Sequence, residues 1–257
     1  MLVDEEVPSL LNRASMKRLL YTITCATLIG MLASPGLAYV LPATFIGRMM
    51  GERAMKSPMK QVSFAMKAEG SETPALKVTL AKPGKVLLEA LPAAPEQEPI
   101  TAARIDIVDG RITPTGDFSK FPGTPELWSI FLLQVLDAKD GDEVEAQWNQ
   151  LAEQLGLNAL ETSLTRCDSI VCFKLTPTAE NTSAVLHTGR SLFRILNWKP
   201  TAQDPAAKAI EMRLRNYKES QAPHWVPQQL EFIDASGASL RFESLDVEFV
   251  PPVESKD

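Results

Sequence analysis

Hydrophobic residues recur along this chain with two periods, and the changes of period divide it. From Pro42 to about Lys56 (PATFIGRMMGERAMK), Phe45, Ile46, Met49 and Met50 fall at i, i+1, i+4 and i+5, which predicts a helix with one apolar face. After Ser57-Pro58 the period becomes two. Val62, Phe64 and Met66 alternate with Ser63, Ala65 and Lys67, and Val78 and Leu80 continue beyond a turn. Pro83-Gly84 marks a tight turn before Val86-Leu87-Leu88. Pro92–Pro99 (PAAPEQEP) reads as a proline-rich acidic loop. Ala103, Ile105 and Ile107 then alternate with Arg104 and Asp106, and Asp109-Gly110 predicts a hairpin into Arg111-Ile112-Thr113.

The middle of the chain is helical. Pro125 to Leu136 (PELWSIFLLQVL) opens with Pro and Glu in the first turn and places Trp128, Phe131, Leu132 and Leu136 on one side. A second helix, about Asp142 to Leu155, starts with a capping-box-like Asp142-x-x-Glu145 and stops at Gly156. Strands resume with Leu160–Leu164, Ile170–Leu175 and Leu192–Trp198. Ile210, Met212 and Leu214 alternate with Glu211, Arg213 and Arg215. Val226–Ile233 carries Leu230 and Phe232 on one parity, and a turn at Asp234–Gly237 leads to the last strand. That strand has Leu240 and Phe242 on one parity, then Leu245, Val247 and Phe249 on the other. A slip of one residue near Glu243-Ser244 predicts a β-bulge.

Hairpins join many of these strands, and no strand–helix alternation recurs. The fold class is therefore α+β: a curled, mainly antiparallel, half-open β-barrel with short helices covering its concave face. About ten strands in one sheet must curl, and the apolar parity is the natural inner face. Apolar residues at the helices and on the inner strand rows become candidates for lining a cavity: Phe45, Met49, Phe64, Met66, Trp128, Phe131, Leu132, Met212, Leu214 and Phe242. Flexible methionines, concentrated in the first helix and the linker after it, suit a surface that accepts varied apolar shapes. The same residues also fit ordinary core packing, so cavity and filled core remain alternatives.

The N-terminus adds a location. Met16-Lys17-Arg18 gives a positive start, the 14 residues Leu19–Leu32 form an apolar run, and Ser34-Pro35-Gly36 breaks it. Gly36 and Ala38 occupy the −3 and −1 positions of a cleavage site after Ala38, completing a signal-peptide pattern. The run is shorter than the roughly 20 residues that span a bilayer comfortably. The alternative is an uncleaved inner-membrane anchor. Residues 1–15 read as a leader extension or an over-long start. The expected organisation is a removed segment 1–38, one domain over 39–250 and a flexible tail 251–257, in the periplasm.

Removing 1–38 takes away Asp4, Glu5 and Glu6 with Arg13, Lys17 and Arg18, so the net charge stays at −6. An acidic chain without a basic block is a poor match for nucleic acid or for an anionic membrane surface. Cys25 leaves with the signal, and the remaining pair, Cys167 and Cys172, reads as a disulfide formed in an oxidising compartment.

Catalytic and metal chemistry is not announced. The two histidines, His187 and His224, stand apart, and no metal-ligand spacing, nucleophile elbow, P-loop or dinucleotide fingerprint occurs. Asp140-Gly141-Asp142 lacks the later ligands of a calcium loop and suits a turn and helix cap. Asn181-Thr182-Ser183 fits a glycosylation acceptor that a bacterial-type exported protein leaves bare. The expectation is a non-enzyme with no cofactor.

In layout the chain resembles the outer-membrane lipoprotein carrier (LolA/LolB-like) superfamily. The resemblance rests on the short helix directly after the signal, the alternating strands, the helical insertion (PELWSIFLLQVL … WNQLAEQLGLN), the segment LGLNALETSLTRCDSIVCFKL, and the final hairpin, Trp225-Val226-Pro227 followed by QLEFIDASGASLRFESLDVEF. It implies a half-barrel whose cavity holds acyl chains, and a lipid or acylated protein as partner, with other envelope proteins possible. The CX4C pair departs from that pattern. The alternative is a non-catalytic structural or interaction module of the cell envelope.

Overall fold

The computed structural model describes residues 40–56, 59–72, 75–92, 101–157, 160–177, 184–190, 193–201, 210–217 and 226–250. These belong to one compact unit, Val40–Asp257. The signal segment, the 92–99 loop beyond Pro92, Asn181–Ser183, His224, Trp225 and the tail 251–257 lie outside the described residues.

Among the described residues twelve strands form one sheet: β1 (Gln61–Ala68), β2 (Leu76–Ala81), β3 (Lys85–Ala90), β4 (Thr101–Val108), β5 (Arg111–Gly116), β6 (Leu160–Cys167), β7 (Ile170–Pro177), β8 (Val185–Gly189), β9 (Ile195–Lys199), β10 (Glu211–Tyr217), β11 (Pro227–Ile233) and β12 (Ser239–Val250). Their order is β5-β4-β3-β2-β1-β12-β11-β10-β9-β8-β7-β6. Neighbours are antiparallel throughout, and the first and last strands meet in the middle. β5 and β6 are the two edges and do not pair, so the sheet is open. It nevertheless curls. Ile112 and Pro114, on or beside the edge strand β5, line one groove with Trp198 of β9, far along the strand order.

The register explains the core. Val62 lies opposite Leu80, Leu80 opposite Val86, and Val86 opposite Ile105. Phe64 continues through Val78 and Leu88 to Ala103 in the same way. On the other half Met212 pairs with Phe232, and Leu214 with Leu230, which faces Phe242. Directly opposed residues share a face, so alternation in each strand becomes continuous apolar rows on one side. Asp109 and Gly110 have φ of 50° and 71°, the paired left-handed turn that Asp-Gly favours between β4 and β5.

Three differences from the sequence reading have physical causes. The bulge lies between Leu245 and Glu248, where Asp246 takes φ 49°, rather than at Glu243-Ser244. Parity reports that a slip has occurred but not at which residue. The expected helix 125–136 is an α-turn, α2 (Pro125–Ser129), that tightens into a 3-10 segment, Ile130–Gln134. Ile130–Gln134 are all buried, so this segment has no polar face to hold an amphipathic helix in register. β8 (VLHTG) is too short and too polar to show alternation.

Among the described residues there are also two longer helices, α1 (Ala43–Lys56) and α3 (Gly141–Gln154). α3 is capped by Asp140, not Asp142: its carboxylate accepts from the N–H of Asp142 (3.1 Å) and Glu143 (2.9 Å).

Candidate functional site

The inner face of the sheet, with the helices laid on it, is the place where an apolar ligand would have to bind. The α2–3-10 segment is the plug at its centre. Its Trp128 ring packs 5.3 Å from Phe232 and 6.0 Å from Phe131, and Phe232 is 5.8 Å edge-on to Phe242. Polar handles anchor it: the Trp128 indole N–H donates to the Pro122 carbonyl (2.7 Å), and the Trp198 indole N–H of β9 donates to the Glu126 carbonyl (3.0 Å). Nearby, the Tyr217 hydroxyl of β10 donates to the Ile195 carbonyl of β9 (2.5 Å), and burial pushes its pKa far above its ordinary value.

The ten sequence candidates divide. Phe64, Met66, Trp128, Phe131, Leu132, Met212 and Leu214 are fully buried and Phe242 nearly so, all in one contiguous core. Phe45 is 43 % exposed and Met49 half-buried. The buried face of α1 is Ala43, Ile46, Gly47, Met50, Gly51 and Ala54, offset from the stripe expected on apolar size alone. Small residues are the reason. α3 lies so close that a Cβ at Gly47 would sit 2.5 Å from Trp148 Cε3, and one at Gly51 would sit 3.1 Å from Val144. A stripe of Gly and Ala gives no hydrophobic signal, so the sequence does not reveal this contact; Trp148, Trp198 and Phe232, which also pack here, stand outside the ten candidates.

Among the described residues three grooves open beside this core, and α3 borders each. One, about 610 Å³, runs between Val40–Thr44 and Trp148, Asn149, Ala152 and Glu153, reaching Thr162 of β6. A second, about 440 Å³, lies between Ile112 and Pro114 on one side and Trp198 and Thr201 on the other, with Glu153 and Gln154 in its wall. A third, about 290 Å³, separates Ile107 and Gly110 from Gln147, Gln150 and Leu151. None of the ten candidates lines any of them. Gln154 ties α3 to the edge hairpin: it accepts from Ile112 N–H and donates to the Gly110 carbonyl, both at 2.7 Å.

Titratable groups do not converge on these grooves. Among the described residues no cluster of three or more His, Cys, Asp or Glu could hold a metal ion, and no helix is long and apolar enough to cross a membrane. His187 is half-buried on the opposite sheet face, opposite Lys174 and Asn197; burial, reinforced by the Lys174 charge, holds its pKa below the ordinary value. The disulfide is present: Cys167 and Cys172 are joined across the β6–β7 hairpin with Cα atoms 5.9 Å apart.

No family model and no curated protein matches the chain. Solved structures do. A LolA superfamily protein from Nitrosomonas europaea is similar over 83 % of this chain and 96 % of its own, at 13 % identity and TM-score 0.42. An outer-membrane lipoprotein-sorting protein domain from Vibrio parahaemolyticus is similar over 83 % of this chain and 94 % of its own, at 14 % identity and TM-score 0.47.

Proposed function

We propose that this protein is an exported, non-catalytic carrier that binds a lipid or the acyl chains of a lipoprotein in the periplasm. The observation that supports this most is the position of α3. It borders all three of these grooves, it is tied to the edge strand β5 through Gln154, and the groove along its other side reaches Thr162 of β6, the opposite edge of the open sheet. Displacing α3 and the plug would join the grooves to the apolar rows around Phe64, Met66, Trp128, Phe131, Leu132, Met212, Leu214 and Phe242. An acyl chain would then replace the contacts those side chains now make with the helices. At about 0.8 kcal/mol per buried methylene, a dozen methylenes supply on the order of 10 kcal/mol towards that displacement. Phe45 and Met49 stand at the outer side of α1, where an entering chain would first meet the protein.

Mass spectrometry of protein purified from the envelope fraction of a bacterial host tests the reading, paired with uptake of a fluorescent fatty acid. Bound lipid in stoichiometric amount, or saturable uptake competed by phospholipid, is expected. A protein that carries no lipid and takes up no probe is instead a filled envelope interaction module. The complete burial of seven candidates favours that second reading.

A further inference from the structure

We propose that the disulfide-stapled tip of the β6–β7 hairpin is a docking point for an anionic lipid surface. The proposal stands independently of whether the interior carries a lipid. The tip is the two-residue turn Asp168-Ser169 and the residues beside it, locked by the Cys167–Cys172 bond. It exposes two β-branched apolar side chains, Ile170 at 51 % and Val171 at 40 %. Cross-strand register puts Ile170 on the same sheet face as Cys167, and Val171 on the other face opposite Arg166. The apolar pair therefore wraps the end of the hairpin instead of packing on either side.

Cations gather round it. Arg166 is exposed directly opposite Val171. Arg190 is exposed one position beyond the Cys172–Gly189 pair, on the other flank. Arg215 of β10 reaches across to Asp168, 2.7 Å from Nε to the carboxylate. Asp168 is the one acidic residue among the described residues 162–177, and Arg215 offsets it. A chain of net charge −6 thus presents a locally basic, apolar-tipped end, assembled from β6, β7, β8 and β10.

The shape selects the partner. A specific protein interface needs about 800 Å² per side, far more than two side chains at a narrow turn provide. A bilayer interface accepts a point contact: apolar side chains enter the acyl boundary while arginines remain at the anionic headgroups. The disulfide keeps the two apolar residues ordered before contact, which reduces the entropy cost of docking.

The test uses the full chain with Ser169→Trp and vesicles of brominated phosphatidylglycerol and phosphatidylcholine. Reading the added tryptophan against the parent protein, which has four, separates tip insertion from any binding by the N-terminal apolar segment. Extra quenching on anionic vesicles, suppressed by salt and absent on pure phosphatidylcholine, is expected. Arg166→Gln with Arg190→Gln should weaken this quenching signal about 25-fold, roughly fivefold per arginine. Ile170→Ser with Val171→Ser should weaken it at least about tenfold. All four positions are exposed, and unchanged thermal unfolding confirms that the variants fold. Vesicle binding without added quenching at residue 169, no binding at all, or equal quenching in every variant overturns the proposal. So does binding of the tip to a soluble acidic protein with no response to lipid.

Discussion

Gly47→Ala measures how tightly α1 and α3 close over the core. On an exposed helix this change stabilises by about 1 kcal/mol, because glycine loses more backbone freedom on folding. At position 47 the new methyl would fall 2.5, 2.6 and 2.7 Å from Cε3, Cδ2 and Cζ3 of Trp148. These atoms belong to a rigid ring that is itself only 2 % exposed, so the ring has little room to turn. The helices must part instead. Overpacking of this kind costs about 1–3 kcal/mol. Subtracting the helix gain leaves a net loss of about 0–2 kcal/mol. Urea unfolding of wild type, Gly47→Ala, Trp148→Leu and the double variant supplies the assay. In the Trp148→Leu background the clash is gone, and Gly47→Ala should approach the gain of about 1 kcal/mol expected for an open helix. Gly51→Ala, whose Cβ would meet Val144 at 3.1 Å, should fall nearer neutral. If Gly47→Ala stabilises the wild type, or has the same effect with and without Trp148, the close helix contact is refuted. If α3 is also the element that yields to a ligand, Gly47→Ala should speed uptake of the fluorescent fatty acid.

Two further outcomes follow from the same structure. Replacing Cys167 and Cys172 by serine should lower the unfolding free energy by about 2 kcal/mol, the modest value for so short a loop, as read by denaturant titration under oxidising conditions. A loss below about 0.5 kcal/mol would show that the hairpin holds its form without the bond. His187 is held below its ordinary pKa by burial and by Lys174, so the folded state prefers its neutral form. Its contribution is complete above about pH 6.5 and is lost as pH falls through the folded-state value. The fall in thermal stability between about pH 7 and pH 5 should be shallower in His187→Gln than in wild type; parallel profiles would exclude the role.

The sequence carried much of this fold on its surface. Alternation in Val62–Met66, Val86–Leu88 and Met212–Leu214 is a local consequence of a one-sided sheet, so strands and inner face were legible residue by residue. The Asp109-Gly110 hairpin, the CX4C bond and both longer helices were legible for similar reasons: each is decided within one or two turns of chain. Four things were not. Strand order, with β1 against β12, depends on pairings between the two ends of the chain that no local period encodes. The buried face of α1 was set by Gly47 and Gly51, which carry no hydrophobic signal and matter only because Trp148 arrives from about a hundred residues away. The 3-10 plug was set by burial on every side. And the linear sequence shows no basic block, since Arg166, Arg190 and Arg215 come from separate segments of the chain. Only the tertiary fold gathers them at one hairpin tip, because charge density is a property of distance in space and not of spacing along the chain.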